Sequence, residues 1–381
     1  MVRREWHLLW SDPWLASLVS WIPLLLAFLP WAIFSTGVAR DLPIGVVDLD
    51  NSRMSRALMR HYDASPTLET STHFLSSREG ARALRAAKIY ALVIIPRNME
   101  KDTILGKTPR VSAFINSQFL LIGKNIQSAV LKAHTTFTTR IEIMGNMLSK
   151  TPVLTKAIPL ATPIGNQIVP LFNISNNYAQ FLVSAIIPAI WQILLVAAIV
   201  LSLGAEQRRQ GLQAWLGDRP VRAILAKYVV LIVIFSLQGM LFLWSLYIFL
   251  GYPMHGSYCL LFFAQLLTVC ASLIGGSIFF LLSKDTTRAL SLSAAYAAPG
   301  LAFMGITFPV TDMTLPARVW RSFLPISHYI EIQLAQVNYG APVQNSLPQL
   351  RNLSLFFILL IVVFGQVGYL AATTRKGEER Q

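Results

Sequence analysis

Five stretches of the chain contain no Asp, Glu, Lys or Arg: Leu15–Ala39, Ala179–Ala205, Tyr228–Ser283, Ala289–Thr311 and Asn352–Thr374. A helix of about 20 apolar residues crosses a bilayer with every backbone N–H and C=O satisfied inside the helix itself. Each run is long enough for that, and the third is long enough for two crossings, broken in its middle by Gly251, Pro253, His255 and Gly256. The sequence therefore predicts an α-helical polytopic membrane protein with six transmembrane helices, at 15–38, 178–204, 226–250, 258–283, 288–309 and 352–373. Composition agrees, with 54% of residues apolar and 13% charged, against about 25% charged in a soluble domain. Such a chain is neither disordered nor an ordinary soluble enzyme, and with two Cys it is no disulfide scaffold.

Lys and Arg in the short loops set the orientation. With the N-terminus in the cytoplasm, Arg3, Arg4, Arg208, Arg209, Arg219, Arg222, Lys227, Lys284, Arg288, Arg375, Lys376 and Arg380 all lie inside. The short outer loops then hold only Arg318, Arg321 and Arg351. Both termini, including the 374–381 tail, are expected in the cytoplasm. The net charge of +14 is spread over both sides, because segment 40–173 is basic as well. Basic residues facing two compartments do not suit nucleic acid; for the outer segment a solvated surface is the first reading and an anionic membrane surface the second, with membrane lipids as partners. Arg3 and Arg4 ahead of an apolar stretch look like a signal peptide, but the stretch is too long and lacks a convincing cleavage site, so it reads as an uncleaved anchor. Before it, Trp6, Leu9, Trp10 and Trp14 fall at helical spacing, interrupted by Asp12-Pro13. Residues 1–14 are thus expected to form a helix lying in the inner headgroup layer.

Between the first two spans, residues 39–177 read as an extracytoplasmic α+β domain. Leu42–Leu49 has the pattern of a strand, and Asp48-Leu49-Asp50-Asn51-Ser52 then supplies caps for a helix over Arg53–Tyr62. Ser77–Ala87 reads as a basic amphipathic helix, Ile89–Ile95 as an apolar strand stopped by Pro96, and Val111–Asn116 as a third strand. Leu120–Leu148 has a long helical pattern, after which Pro152, Pro159, Pro163 and Pro170 favour an extended return.

Several chemistries find no support. Gly106-Lys107-Thr108 resembles the end of a phosphate loop, but position 101, where its first glycine belongs, is Lys. Asp48, Asp50 and Asn51 lack the sixth-position Gly and twelfth-position Glu of a calcium loop, so capping is the expected role. His7, His61, His73, His134, His255 and His328 show no ligand spacing, and Cys259 and Cys270 share a helix face where packing is the expected role. No catalytic, cofactor or metal residue is expected. Ion-driven carriers place ionisable groups within their spans, and the span cores here have none, so energy for uphill transport has to enter from another subunit. The expected entry point is the 205–225 loop, where Gln207–Leu216 sets Leu212, Trp215 and Leu216 on one face with Arg208, Arg209 and Gln213 around them. That pattern fits a helix docking into a partner's groove.

Three stretches together resemble ABC-2 type exporter permeases of the subgroup with a large periplasmic domain between spans 1 and 2. The first is Leu42-Pro-Ile-Gly-Val-Val-Asp-Leu-Asp50-Asn51-Ser52, followed by Ser55-Arg56-Ala-Leu and Tyr90-Ala-Leu-Val-Ile-Ile-Pro96. The second is Glu206-Gln-Arg208-Arg209-Gln-Gly211-Leu212 with Pro220, similar to the family's Glu-Arg-Gly-Thr coupling segment with Leu212 in place of the Thr. The third runs from Phe308-Pro309 through Leu315-Pro316 and Leu324-Pro325-Ile-Ser-His-Tyr329-Ile-Glu331 to Tyr339-Gly340 and is similar to the family's outer re-entrant segment, placed here at 310–351.

The resemblance implies a permease subunit of an ATP-driven exporter in the bacterial inner membrane. It pairs with a second permease, as a homodimer or with a related paralogue, and with a cytoplasmic ABC ATPase subunit that holds the ATP, so the chain itself carries no cofactor. Glu206, Arg208, Arg209, Gly211, Leu212 and Trp215 would be its ATPase-coupling residues. The cargo suited to an apolar, uncharged cleft is amphiphilic, lipid-like or drug-like. The periplasmic domain would receive cargo, dock a membrane-fusion adaptor or stiffen the dimer. The competing reading is a membrane-anchored receptor or assembly scaffold that binds a partner without transport.

Overall fold

The structure is a computed structural model that describes residues 1–149, 172, 173 and 177–378. The extended return expected through Pro152, Pro159, Pro163 and Pro170 lies outside the described residues. The chain divides into two compact units, one of Met1–Gly37 with Pro170–Gln381 and the other of Val38–Val169.

The first unit is helical. Tyr178–Gln210, Pro220–Phe249, Tyr258–Ser283 and Val343–Ala372 are each long and apolar enough to cross a membrane. Pro13–Val19 and Trp21–Ile33, bent by 43° at Ser20, make a fifth candidate if they count as one span. The helix boundaries follow capping chemistry. Asp12 accepts from the Trp14 and Leu15 amides, Asn177 from Gln180, Ser257 from Leu260 and Asp285 from Arg288, while Pro220 occupies a first turn, where its missing N–H costs nothing. The apolar core of Tyr178–Gln210 is the most buried of the four, at 72%, and that of Val343–Ala372 the least, at 17%, so the former is the centre of the bundle and the latter its flank. Gly276 lets the Tyr258–Ser283 helix approach that centre. A Cβ there would lie 2.5 Å from Ile199 Cγ2 and 3.0 Å from the Val196 carbonyl oxygen.

Two expected membrane segments take the following form. The span expected at 288–309 is a 12-residue helix, Thr286–Ala297, followed by the single turn Gly300–Phe303. Pro299, which has no amide to donate, stands at the break. The stretch 310–351, expected as an outer re-entrant segment, contains a 3-10 turn, Val310–Asp312, and the helix Leu315–Ser322, followed by Pro325–Val337 and Val343–Leu355. Pro316 and Pro325 sit in first turns, so here proline starts helices rather than preventing them. Pro325–Val337 is stitched to its neighbours by Gln333, whose amide donates to the Ser184 carbonyl at 2.7 Å and the Tyr247 hydroxyl at 2.9 Å.

The second unit carries a four-stranded sheet of β1 (Leu42–Asp48), β2 (Leu68–His73), β3 (Ala91–Ile95) and β4 (Ser112–Ile115), in the order β2-β1-β3-β4. β1 pairs in parallel with β2 and β3, and β3 pairs antiparallel with β4. Alternation along β1 sends Val46 into a core with Leu58, Tyr62, Ile126 and Phe137 of the helices Arg53–Asp63 and Leu120–Ser149. Val47 faces the opposite side, with Ala83 of Ser77–Arg85 and with Leu92. Both central strands are therefore covered on two faces and read as apolar runs. The edge strand β2, Leu-Glu-Thr-Ser-Thr-His, was not expected, since only Leu68 of it is buried.

The acidic cluster after β1 serves as caps. Asp48 accepts from the Asp50 and Asn51 amides and from the Ser55 hydroxyl, and Asp50 accepts from Met99 and Glu100 at the start of the helix Met99–Ile104. Gly106-Lys107-Thr108 follows the C-terminal end of that helix, where outward carbonyls oppose a phosphate instead of cradling one.

Tyr62 hydrogen-bonds His134 Nε2, and burial lowers the His134 pKa below its ordinary 6.5 and raises that of Tyr62. The folded unit therefore favours the neutral ring. Its stabilisation is fully present above pH 6.5 and is lost as pH falls from there through the lowered folded value. Hydrogen exchange of the Leu120–Ser149 amides, corrected for intrinsic rates, is expected to show protection falling on acidification in the wild type, with a shallower fall in His134→Phe.

Candidate functional site

A buried amine ties the N-terminal helix of the helical unit to a residue 222 positions further along the chain. Lys227, in the second turn of Pro220–Trp244, is 1% exposed although it follows a polar loop by only a few residues. Its Nζ donates to Glu5 Oε2 at 2.6 Å, to Ser202 Oγ at 2.9 Å and to Glu206 Oε1 at 3.5 Å. It also stands 5.2 Å from the centre of the Trp215 ring, a cation–π contact. Glu5 and Glu206 are 3% and 0% exposed. Arg4, half-exposed, closes the cluster with one nitrogen 2.8 Å from Glu206 Oε2 and another 3.4 Å from Glu5 Oε1.

Two carboxylates thus face two cations in a water-poor pocket, and the set is neutral. Carrying these charges out of water is costly, so the arrangement is held by the completeness of its pairing and contributes registry more than net stability. It joins Val2–Ser11, the end of Tyr178–Gln210, the short helix Leu212–Leu216 and the start of Pro220–Trp244.

Local sequence explains each placement. Tyr178–Gln210 runs on past the expected end at 204, and Gly211 breaks it with φ 80° and ψ 145°. Gly217, with φ 48° and ψ −143°, closes Leu212–Leu216 on its other side. Segment 207–216, read from its pattern as one helix, is therefore two helices meeting at a glycine, and this swings Trp215 back onto Lys227. A Cβ on Gly211 would meet nothing within 4 Å, so Gly211→Ala is expected to cost only the backbone strain of that conformation, about 1–3 kcal/mol. A lowered thermal unfolding midpoint, with no change in the cluster's own chemistry, would register it.

Of the six residues singled out in the sequence, Gly211 is the half-buried break between the two helices, and the other five separate into two groups. Glu206, Leu212 and Trp215 are buried, at 0%, 7% and 6% exposed. The apolar face of Leu212, Trp215 and Leu216 is thus packed into the chain's own core, and any partner meets the polar side of this loop. Arg208 and Arg209 project outward, Arg208 reaching Asp12 at 3.5 Å and Arg209 donating to Ser11 Oγ at 2.7 Å. Gln207 Nε2 donates to the Lys284 carbonyl at 2.8 Å, tying in the next loop between helices. Glu5 and Lys227 are the members that sequence reasoning missed. The available signal was an acid inside an otherwise apolar-faced N-terminal helix, together with a lysine just inside a membrane span. Trp6, Trp10 and Trp14 are exposed, whereas Leu9, expected beside them, is buried.

A polar, charge-balanced hub at one end of a set of bilayer-length apolar helices is the architecture of a multi-pass membrane protein whose loops are mechanically tied to its spans. A family model described as ABC-2 family transporter protein matches residues 13–365. The chain belongs to that family, whose members are transport components that generally work with a cytoplasmic ATPase subunit. No curated protein and no solved structure matches the chain.

Proposed function

We propose that the chain is the permease half of an ATP-driven exporter that moves an amphiphilic, lipid-like or drug-like molecule outward. Two permeases pair in the bacterial inner membrane, and an ATPase docks on the 205–225 loop of each. In this reading the N- and C-termini are cytoplasmic and the 39–177 domain is periplasmic, where a membrane-fusion adaptor is a further candidate partner. There are six crossings, the fifth made of Thr286–Ala297 with Gly300–Phe303.

The buried Lys227 cluster carries the proposal. A loop joined to its spans only by flexible backbone would absorb a push, whereas one locked to both spans and to the N-terminal helix through desolvated ion pairs passes the displacement on. ATP-driven closure of the ATPases then moves Arg208 and Arg209, and with them the inner ends of Tyr178–Gln210 and Pro220–Trp244, biasing the permease between inward- and outward-facing states.

Extraction of the tagged full-length protein into nanodiscs, followed by affinity purification, tests the reading. A stoichiometric ATPase with measurable hydrolysis in the eluate supports it. Purification without any ATPase, while the 39–177 domain retains a different protein, would move the chain to a receptor or scaffold role.

A further inference from the structure

The Val38–Val169 unit contains a hollow of about 820 Å³ between the helices Arg53–Asp63, Met99–Ile104 and Leu120–Ser149. That size lies in the range of small-molecule sites. Its wall on the long helix is formed by His134, Phe137, Thr138, Ile141, Glu142 and Gly145. This spacing of three and four residues describes one face running roughly 16 Å along the axis. Opposite stand Met54, Leu58 and Met99, so the floor is apolar and deformable.

A second hollow of about 460 Å³ adjoins it, and Met54, Phe137 and Ile141 line both. Its chemistry differs, because Arg53, Arg60 and Arg140 border it against the single carboxylate of Glu100. Among the described residues, none of these three arginines has a carboxylate within ion-pair distance. At the larger hollow the charges are sorted the other way. Lys107 is already paired with Asp102 at 3.6 Å, and Glu142 adds a negative charge.

Two hollows that share the apolar side chains Met54, Phe137 and Ile141, one bordered by unpaired guanidinium groups and the other by Glu142, select for polarity across a ligand. We propose that this unit binds a single-chain anionic amphiphile. The hydrocarbon chain lies over Phe137 and Ile141 in the larger hollow, and a carboxylate or phosphate head sits among Arg53, Arg60 and Arg140. Guanidinium groups suit both heads, since their planar forks pair with either oxyanion. The inference rests on the export reading for the ligand's role as cargo, and it narrows that cargo from amphiphiles in general to anionic ones.

Photo-crosslinking of the full-length protein in nanodiscs with diazirine-bearing palmitate tests the site directly, because peptide mapping separates this unit from the membrane helices. Labelling is expected on the peptide containing Phe137–Met144. It should fall about tenfold in Arg53→Ala/Arg60→Ala/Arg140→Ala, where three exposed side chains are shortened and the head loses its guanidinium partners, and also in Ile141→Trp, which fills the larger hollow. A diazirine-bearing hexadecanol should label the same peptide weakly and show no response to the arginine changes. Competition by lysophosphatidate but not by laurate assigns the head to a phospholipid, and the converse assigns it to a free fatty acid; both support the site. Labelling confined to the membrane helices, or unchanged in the triple-arginine variant, would overturn it. The assay needs neither ATP nor an ATPase, so its failure leaves the export reading standing. Absence of an ATPase partner, in turn, would leave the labelling intact.

Discussion

Replacing Lys227 by Met is expected to lower stability by about 3–5 kcal/mol, the cost of leaving buried carboxylates without their cation. Glu5 and Glu206, at 3% and 0% exposed, would then share only the half-exposed Arg4. The methionine matches the lysine stem in length, so little of the loss would come from packing. The decisive comparison is with the triple variant Glu5→Gln/Glu206→Gln/Lys227→Met, which removes the charges together and is expected to be less damaged than Lys227→Met alone. A non-additive term of about 0.5–3 kcal/mol should appear in the cycle. Thermal unfolding in a single detergent at fixed pH measures all of these. Equal losses for single and triple variants would mean that Lys227 acts through its stem and not through its charge.

Reversal of the outward pair, Arg208→Glu with Arg209→Glu, is expected to do the opposite. Stability should change by no more than about 1 kcal/mol, because exposed ion pairs contribute little, and the pair reaches Asp12 and the Ser11 hydroxyl at the exposed surface. Transport and co-purification of the ATPase should both be abolished, because this is the charged surface that the loop leaves for a partner once Leu212 and Trp215 are buried. Export at the wild-type rate by this variant would remove Arg208 and Arg209 from the coupling role. The two experiments thus separate the buried half of the loop, which holds shape, from the exposed half, which meets the partner.

Periodicity alone made much of the architecture legible. Charge-free runs marked the long helices, and the apolar strands Leu42–Asp48 and Ala91–Ile95 stood out because both of their faces are covered. Ser52 announced its helix start through capping, whereas Asp12, read only as an interruption of a helix over 1–14, ends that helix and caps the next one, Pro13–Val19. The edge strand Leu68–His73 was silent because pairing with β1 specifies it through backbone hydrogen bonds and almost no buried side chain. The helices after Thr311 were hidden for another reason. Proline suggests broken backbone when counted by residue, and helix initiation when it falls in a first turn, and only the three-dimensional register tells which. At the candidate site, Arg208 was singled out by local pattern and Glu206 through the resemblance of 206–212 to the family's coupling segment. Glu5 and Lys227 were not, since a pairing across the chain leaves no mark in either segment's own periodicity.

Glu5 and Lys227 are 222 residues apart, and at 5–20 residues per second a ribosome takes roughly 10–45 s to cover that distance. For all of that interval the N-terminal acid has no lysine to meet, and it has to wait in water or among lipid headgroups. The site can close only after the helices ending at Gln210 and beginning at Pro220 have both been inserted. Closure of the Glu5–Lys227 pair is therefore a late step of biogenesis, and a chain stalled before Lys227 leaves the Glu5 carboxylate without that cation.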